Sequence, residues 1–376
     1  MTTEAVGRPL LARLLRVPPA GANVPVWHVS AIVDVLAYHL SWLWVLVPMV
    51  LLGPRIEDYV WFFLLILGLN FSHRHLTFPY VYLDGEVFRR FPWRFTVFPA
   101  VMVAMLALTP WAWQHHRGWV QAVATFAGFW NLWHVYMQKY GILRMYAAKS
   151  GVPPEQRAPG WVDRLLIFGF LPLIFTWGGP LHRETILRFY PSGKKTLVPM
   201  LDWLATHQLW LVPLAGTVLV AAVGLFVWAE WRASRLRNPA RLLMAGGTTA
   251  LSAAFLVFDP FKVALAFAFS HALEYVVFVW AFQRRQYREM PPHRPILARL
   301  LRFPWLYYVG LIGSLTAAYI IFRYWGRYLG DGERIRFGEH TAAQWIFWWA
   351  IYQSMMHFYF DGFLWKMRKP TLRHNL

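Results

Sequence analysis

Residues 342–365 read AAQWIFWWAIYQSMMHFYFDGFLW. The stretch has no Lys or Arg and one acidic residue, Asp361, over more than the ~20 residues a helix needs to cross a bilayer core. It therefore predicts a membrane-spanning helix, and the rest of the chain reads the same way. Of 376 residues, 58% are hydrophobic, 15% are charged and 23 are Trp, whereas a water-soluble chain of this length needs far more polar surface. Apolar windows predict ten spans, at approximately 29–53, 58–83, 94–113, 119–142, 162–179, 207–231, 241–259, 262–282, 303–325 and 342–365. The expected fold is all-α: a polytopic transmembrane helical bundle forming a single integral membrane domain over residues 1–376. The connections are short and marked by Pro and Gly, the longest lying at 143–161, 180–206 and 326–341. Residues 1–28 contain Arg8, Arg13 and Arg16 but no apolar core, so they read as an N-terminal segment and not as a signal peptide.

The formal net charge is +19. Its distribution follows the spans and gives no sign of a nucleic-acid face. With the N-terminus inside, the inner segments and their flanks hold 25 Lys and Arg and the outer ones 11, Arg74 within a span completing the 37. By the positive-inside rule both termini, including the tail 366–376, are expected in the cytoplasm. The positive charge then meets anionic membrane lipids, and the localisation expected is a bacterial-type inner membrane.

Polar groups inside the spans carry the functional signal, because ionisable side chains are costly in hydrocarbon. In this topology His39, His73, His75, His134, His271, Glu274, His357 and Asp361 fall in one layer. At ~1.5 Å rise per residue that layer lies roughly 6–17 Å inside the cytoplasmic boundary. His134–Gln138 and His357–Asp361 are four residues apart and His271–Glu274 three apart, so each pair shares a helix face. His73 and His75 are two apart and point to opposite sides unless the helix is irregular near Pro79. Asp34, Asn70 and Gln138 are expected to support the ligands, or in the case of Asp34 to cap its span. His28, His182, His293 and His374 fall in loops or tails, His115 and His116 in an outer loop, and His207 and His340 at outer span starts. Trp130, Trp133, Tyr136 and Tyr275 are near enough in sequence to line a pocket. Lys139, Arg144 and Lys149 read as inner-surface anchors, or as holders of a phosphate headgroup.

There is no Cys, so any metal is held by nitrogen and oxygen donors. The eight imidazoles and carboxylates exceed what one ion takes, which predicts two metal ions, with iron favoured over Mn, Zn or Cu. In dinuclear helical bundles, carboxylates and His from facing helices project inward. A site among acyl chains implies a lipophilic substrate, and oxidative chemistry there calls for an electron-donor protein.

The segments SHRH (72–75), WHVYMQKYGILRMY (133–146), SHALEY (270–275) and HFYFDGFLW (357–365) carry a loose resemblance. The chain resembles histidine-rich polytopic oxygenases, namely the membrane fatty-acid desaturase and hydroxylase group or the Brp/Blh type. The likeness is one of general character, since the HxxxH and HxxHH boxes of the desaturases do not occur. It implies a non-haem iron oxidoreductase acting on a membrane-dissolved molecule. Two other classes stay open: a b-type haem electron carrier using His pairs, and a transporter using the same groups as a proton or metal relay.

Overall fold

A computed structural model describes residues 26–51, 60–189, 194–234, 236–287, 296–328 and 336–365. Most of the predicted N-terminal segment, the tail 366–376, residues 52–53 and 58–59 of the first two predicted spans, and His293 and His374 lie outside the described residues.

The described residues are all-α apart from one small strand pair. In chain order the helices are α1 Ala31–Asp34, α2 Leu43–Leu51, α3 Val60–His73, α4 Thr77–Tyr82, α5 Gly85–Arg90, α6 Pro92–His115, α7 Arg117–Ala148, α8 Gly160–Phe168, α9 Phe170–Leu173, α10 Gly179–Leu181, α11 Arg183–Phe189, α12 Lys194–Thr206, α13 Gln208–Ser234, α14 Pro239–Ala254, α15 Pro260–Gln286, α16 Ile296–Leu300, α17 Pro304–Tyr328 and α18 Ala342–Leu364. Strands β1 Arg336–Phe337 and β2 His340–Thr341 pair antiparallel, and Gly338 between them has φ 66°, a left-handed value suited to Gly. Thr341 then opens α18 through a reciprocal cap with Gln344.

Among the described residues, five helices are long and apolar enough to cross a membrane: Pro92–His115, Gly160–Leu181, Gln208–Ala233, Pro260–Gln286 and Pro304–Ile321. A sixth is the pair Ala31–His39 and Leu43–Leu51 if its 58° bend lies within one span. Their outer faces are apolar: Leu209 is 91% exposed, Leu306 74% and Val220 73%. Large exposed aliphatics on long helices mark lipid-facing surface, and the chain is a membrane protein.

Two irregularities fall at predicted ligand residues, one in each stretch of chain. The bend follows a wide π-turn, Val35–His39, which adds a residue to the helical repeat and turns His39 inward. The second predicted span continues from α3 into a tight 3-10 turn, Arg74–Leu76, and then α4. That turn comes just ahead of Pro79, which has no N–H to donate to the carbonyl of residue 75. The connection predicted at 180–206 is largely helical, holding α11 and α12.

The described residues group into two compact units. The first comprises residues up to 56 and 136–274, and the second 57–135 and from 275 onward. In the first, α14 packs on the π-turn so closely that a Cβ on Gly247 would lie 2.2 Å from the His39 carbonyl oxygen. Buried Arg241 there donates to Asp163 at 2.6 Å, to Glu230 at 2.5 Å and to the Leu143 carbonyl at 2.9 Å. In the second unit an aromatic core that includes Tyr80, Phe95, Phe282, Phe360 and Phe363 surrounds the C-terminal end of α18. Tyr80 stacks on Trp365 with ring centroids 5.4 Å apart, which fixes that indole.

Candidate metal centre

The second unit brings together His134 on α7 with His357 and Asp361 on α18. Their ligand atoms all lie within 4.8 Å of one another, and both imidazoles are buried. Asp361 Oδ2 is 3.4 Å from His357 Nε2 and 3.9 Å from His134 Nε2. Ligands bound to one ion at ~2.0–2.2 Å stand about 3 Å apart, so a small contraction closes the set.

The surroundings of Asp361 treat its two oxygens differently. Oδ1 accepts from Trp365 Nε1 at 2.9 Å, the Tyr275 hydroxyl at 3.0 Å and Thr77 Oγ1 at 3.3 Å. Oδ2 faces the imidazoles. Thr77 also lies 3.2 Å from His357 Nδ1, which turns Nε2 of that ring toward the carboxylate. Outer hydrogen bonds of this kind orient ligands and set which ring nitrogen is offered to a metal. Thr77 and Tyr275 are themselves 2.7 Å apart. Thr77 and Trp365 escape sequence reading because neither is ionisable; only the spacing of Trp365, four residues after Asp361, gives a hint.

His73 stands beside this set, its ring centroid 5.2 Å from that of His357 and 5.6 Å from that of Tyr275. His75 turns away. Its Nδ1 is 3.1 Å from the Phe71 carbonyl, and its ring lies among Phe71, Phe78 and Trp349. The irregular turn at residues 74–76 therefore leaves only His73 facing the cluster. Asn70 accepts from Arg74 Nη2 at 2.6 Å and so serves that guanidinium.

In the first unit several of the predicted groups have partners of their own. Glu274 is fully buried and pairs with Lys139, accepting also from Ser270 at 2.7 Å and Gln138 at 3.3 Å. Lys139 is thus an internal counter-ion, which corrects its reading as a surface anchor or headgroup holder. Arg144 likewise pairs with Asp163 at 2.9 Å. Gln138 donates to the His271 carbonyl at 2.9 Å, and His271 is itself buried. Asp34 accepts from the Val29 N–H and the Tyr146 hydroxyl, each at 2.9 Å, so it ties down the start of its span. His39 is buried with its ring centroid 5.4 Å from that of Tyr146, and it joins no three-ligand group among the described residues.

One peripheral reading is refined and one changes. His28 does lie in a loop, as read, but it is buried with Nδ1 2.8 Å from the Tyr38 hydroxyl. Trp133, read as near a pocket, is 54% exposed on the outer face of α7. Trp130 does turn inward, its ring centroid 5.9 Å from that of Phe358.

Comparison of the chain with protein-family models, with curated proteins and with solved structures finds no match.

Proposed function

We propose that the protein is a membrane-embedded, metal-dependent oxidoreductase that acts on a lipophilic substrate. The observation that supports this most directly is the His134–His357–Asp361 set, with one carboxylate oxygen held by Trp365, Tyr275 and Thr77 and the other facing two imidazoles. Two His and one carboxylate with positions left for other ligands form the donor set of non-haem Fe(II) oxygenases. Iron is the metal we assign, in preference to Mn, Zn or Cu. It would supply the redox chemistry, while the chain holds the ligands and excludes water.

The reading takes one ion in this set, where the sequence alone suggested two, because Glu274 is already paired with Lys139. His73 stands near enough to contribute a further nitrogen. Haem ligation fits poorly, since Asp361 presses on both imidazoles. The finer topology belongs to the same proposal: ten spans, both termini cytoplasmic, and the plasma membrane of a bacterial-type cell. Reducing equivalents would come from a separate donor protein on the cytoplasmic side.

The test is elemental analysis with an optical spectrum on the purified full chain. Iron without a Soret band is expected. A haem spectrum, or a folded protein that takes up no first-row metal, overturns the proposal.

A further inference from the structure

Arg74 is a cation inside a predicted span of the second unit, and its partners are all neutral. Nη2 donates to Asn70 Oδ1 at 2.6 Å, and Nη1 donates to Ser354 Oγ and to the Ala350 carbonyl at 3.5 Å. Among the described residues no carboxylate pairs with it. Arg74 is half-buried, and a guanidinium partly shielded from water is costly where no counter-charge meets it. Three of its five N–H donors are used, and Nε–H and one Nη2–H remain. That fork is the geometry that grips a carboxylate through two parallel hydrogen bonds.

The position of this cation gives it meaning. Arg74 follows His73 directly in the chain. Its partner Ser354 precedes His357 by three residues on α18, about 4.5 Å along the helix axis. Next to Ser354, the Gln353 side chain is 0% exposed, and neither its amide oxygen nor its nitrogen has a partner among the described residues. Consecutive residues of a helix point in different directions, so this buried amide is a feature of α18 near Ser354 and not a partner of Arg74. The open Nε–H and Nη2–H fork matches the two oxygens of one carboxylate group.

We propose that Arg74 anchors the carboxylate of an organic acid within about one helical turn of the His134–His357–Asp361 set. The inference refines the oxidoreductase reading and rests on it for the reaction, but binding is tested separately. The carboxylate belongs to one of two sources: the head of a long-chain substrate whose tail lies among the acyl chains, or a small 2-oxo acid bound as co-substrate.

The experiment uses the purified full chain in uncharged detergent, with competition against saturable binding of radiolabelled decanoate or 2-oxoglutarate. Unlabelled decanoate is expected to compete roughly tenfold or more better than decan-1-ol, the worth of charge-assisted hydrogen bonds. Arg74→Gln removes the preference, and Arg74→Lys, which keeps the charge but loses the fork, keeps part of it. Arg74-dependent binding of 2-oxoglutarate and not of decanoate supports the same anchor with the small acid as its source. Equal competition by decanoate and decan-1-ol with no binding of 2-oxoglutarate overturns the proposal, as does a preference that survives Arg74→Gln. If Arg74→Gln does not fold, the wild-type comparison and Arg74→Lys decide. Metal content read on the same samples separates the two ideas, because Arg74→Gln is expected to keep its metal while Asp361→Asn loses it.

Discussion

His357 Nε2 lies 3.4 Å from Asp361 Oδ2, one helical turn away on the same helix, while the other oxygen of that carboxylate is held by Trp365, Tyr275 and Thr77. A carboxylate fixed on one edge and aimed at two imidazoles on the other is prepared to bind a cation. Replacing the outer donors should therefore loosen the metal without removing a ligand. Thr77→Val is expected to weaken metal affinity by about 10- to 100-fold, the usual effect of losing such a partner. Chelator competition on the purified protein measures it, and unchanged affinity would show that Thr77 does not orient the site.

The Lys139–Glu274 pair makes a contrasting prediction. Both side chains are almost completely buried, so removing one charge strands the other. Glu274→Gln should cost about 3–5 kcal/mol, read as a large fall in the thermal unfolding midpoint. The double change Lys139→Met, Glu274→Leu should recover most of that loss, because the pair leaves together. Full metal occupancy in the folded double variant is also expected, and loss of metal there would restore Glu274 to the ligand set.

Arg241 should behave as a structural hub. It is buried and bonded to Asp163, Glu230 and the Leu143 carbonyl, and Arg241→Met is expected to destabilise by about 3–5 kcal/mol. The exposed pair Arg183–Asp202 is the control: Arg183→Ala should change stability by less than about 1 kcal/mol. Equal shifts in the two unfolding midpoints would contradict the difference in burial.

Neighbouring glycines on α14 test the close approach to the π-turn. A Cβ on Gly247 meets the backbone carbonyl of His39, whereas a Cβ on Gly246 meets nothing within 4 Å. Gly247→Ala should therefore cost about 1–3 kcal/mol or more through overpacking. Gly246→Ala should be neutral or stabilise by up to about 1 kcal/mol through helix propensity. Thermal unfolding of the two single variants decides the point.

Much of the helical layout is legible in the sequence, because hydropathy over ~20-residue windows reflects the thickness of the bilayer core. The stretches predicted at 94–113 and 207–231 are Pro92–His115 and Gln208–Ser234 in the structure. The π-turn at Val35–His39 was not legible, since a widened turn depends on packing against Gly247 and leaves no local mark in residue type. Within the site, the i,i+4 spacing of His357 and Asp361 pointed to their shared face, and His73 and His134 stand out by residue type within apolar stretches. The roles of Lys139 and Arg74 were hidden for one reason: a positive residue in a membrane protein is counted first as topology. Only three-dimensional contacts show that Lys139 faces Glu274 and that Arg74 has neutral partners.

The iron content of the purified full chain, measured beside that of its Asp361→Asn variant, is the most direct test of the metal centre. The wild-type chain is expected to hold about one iron, in line with a two-His, one-carboxylate site. Asp361→Asn should lose most of it while its far-ultraviolet circular dichroism stays helical. Equal iron in the two proteins, or a folded wild-type chain that binds none when supplied with Fe(II), would contradict it.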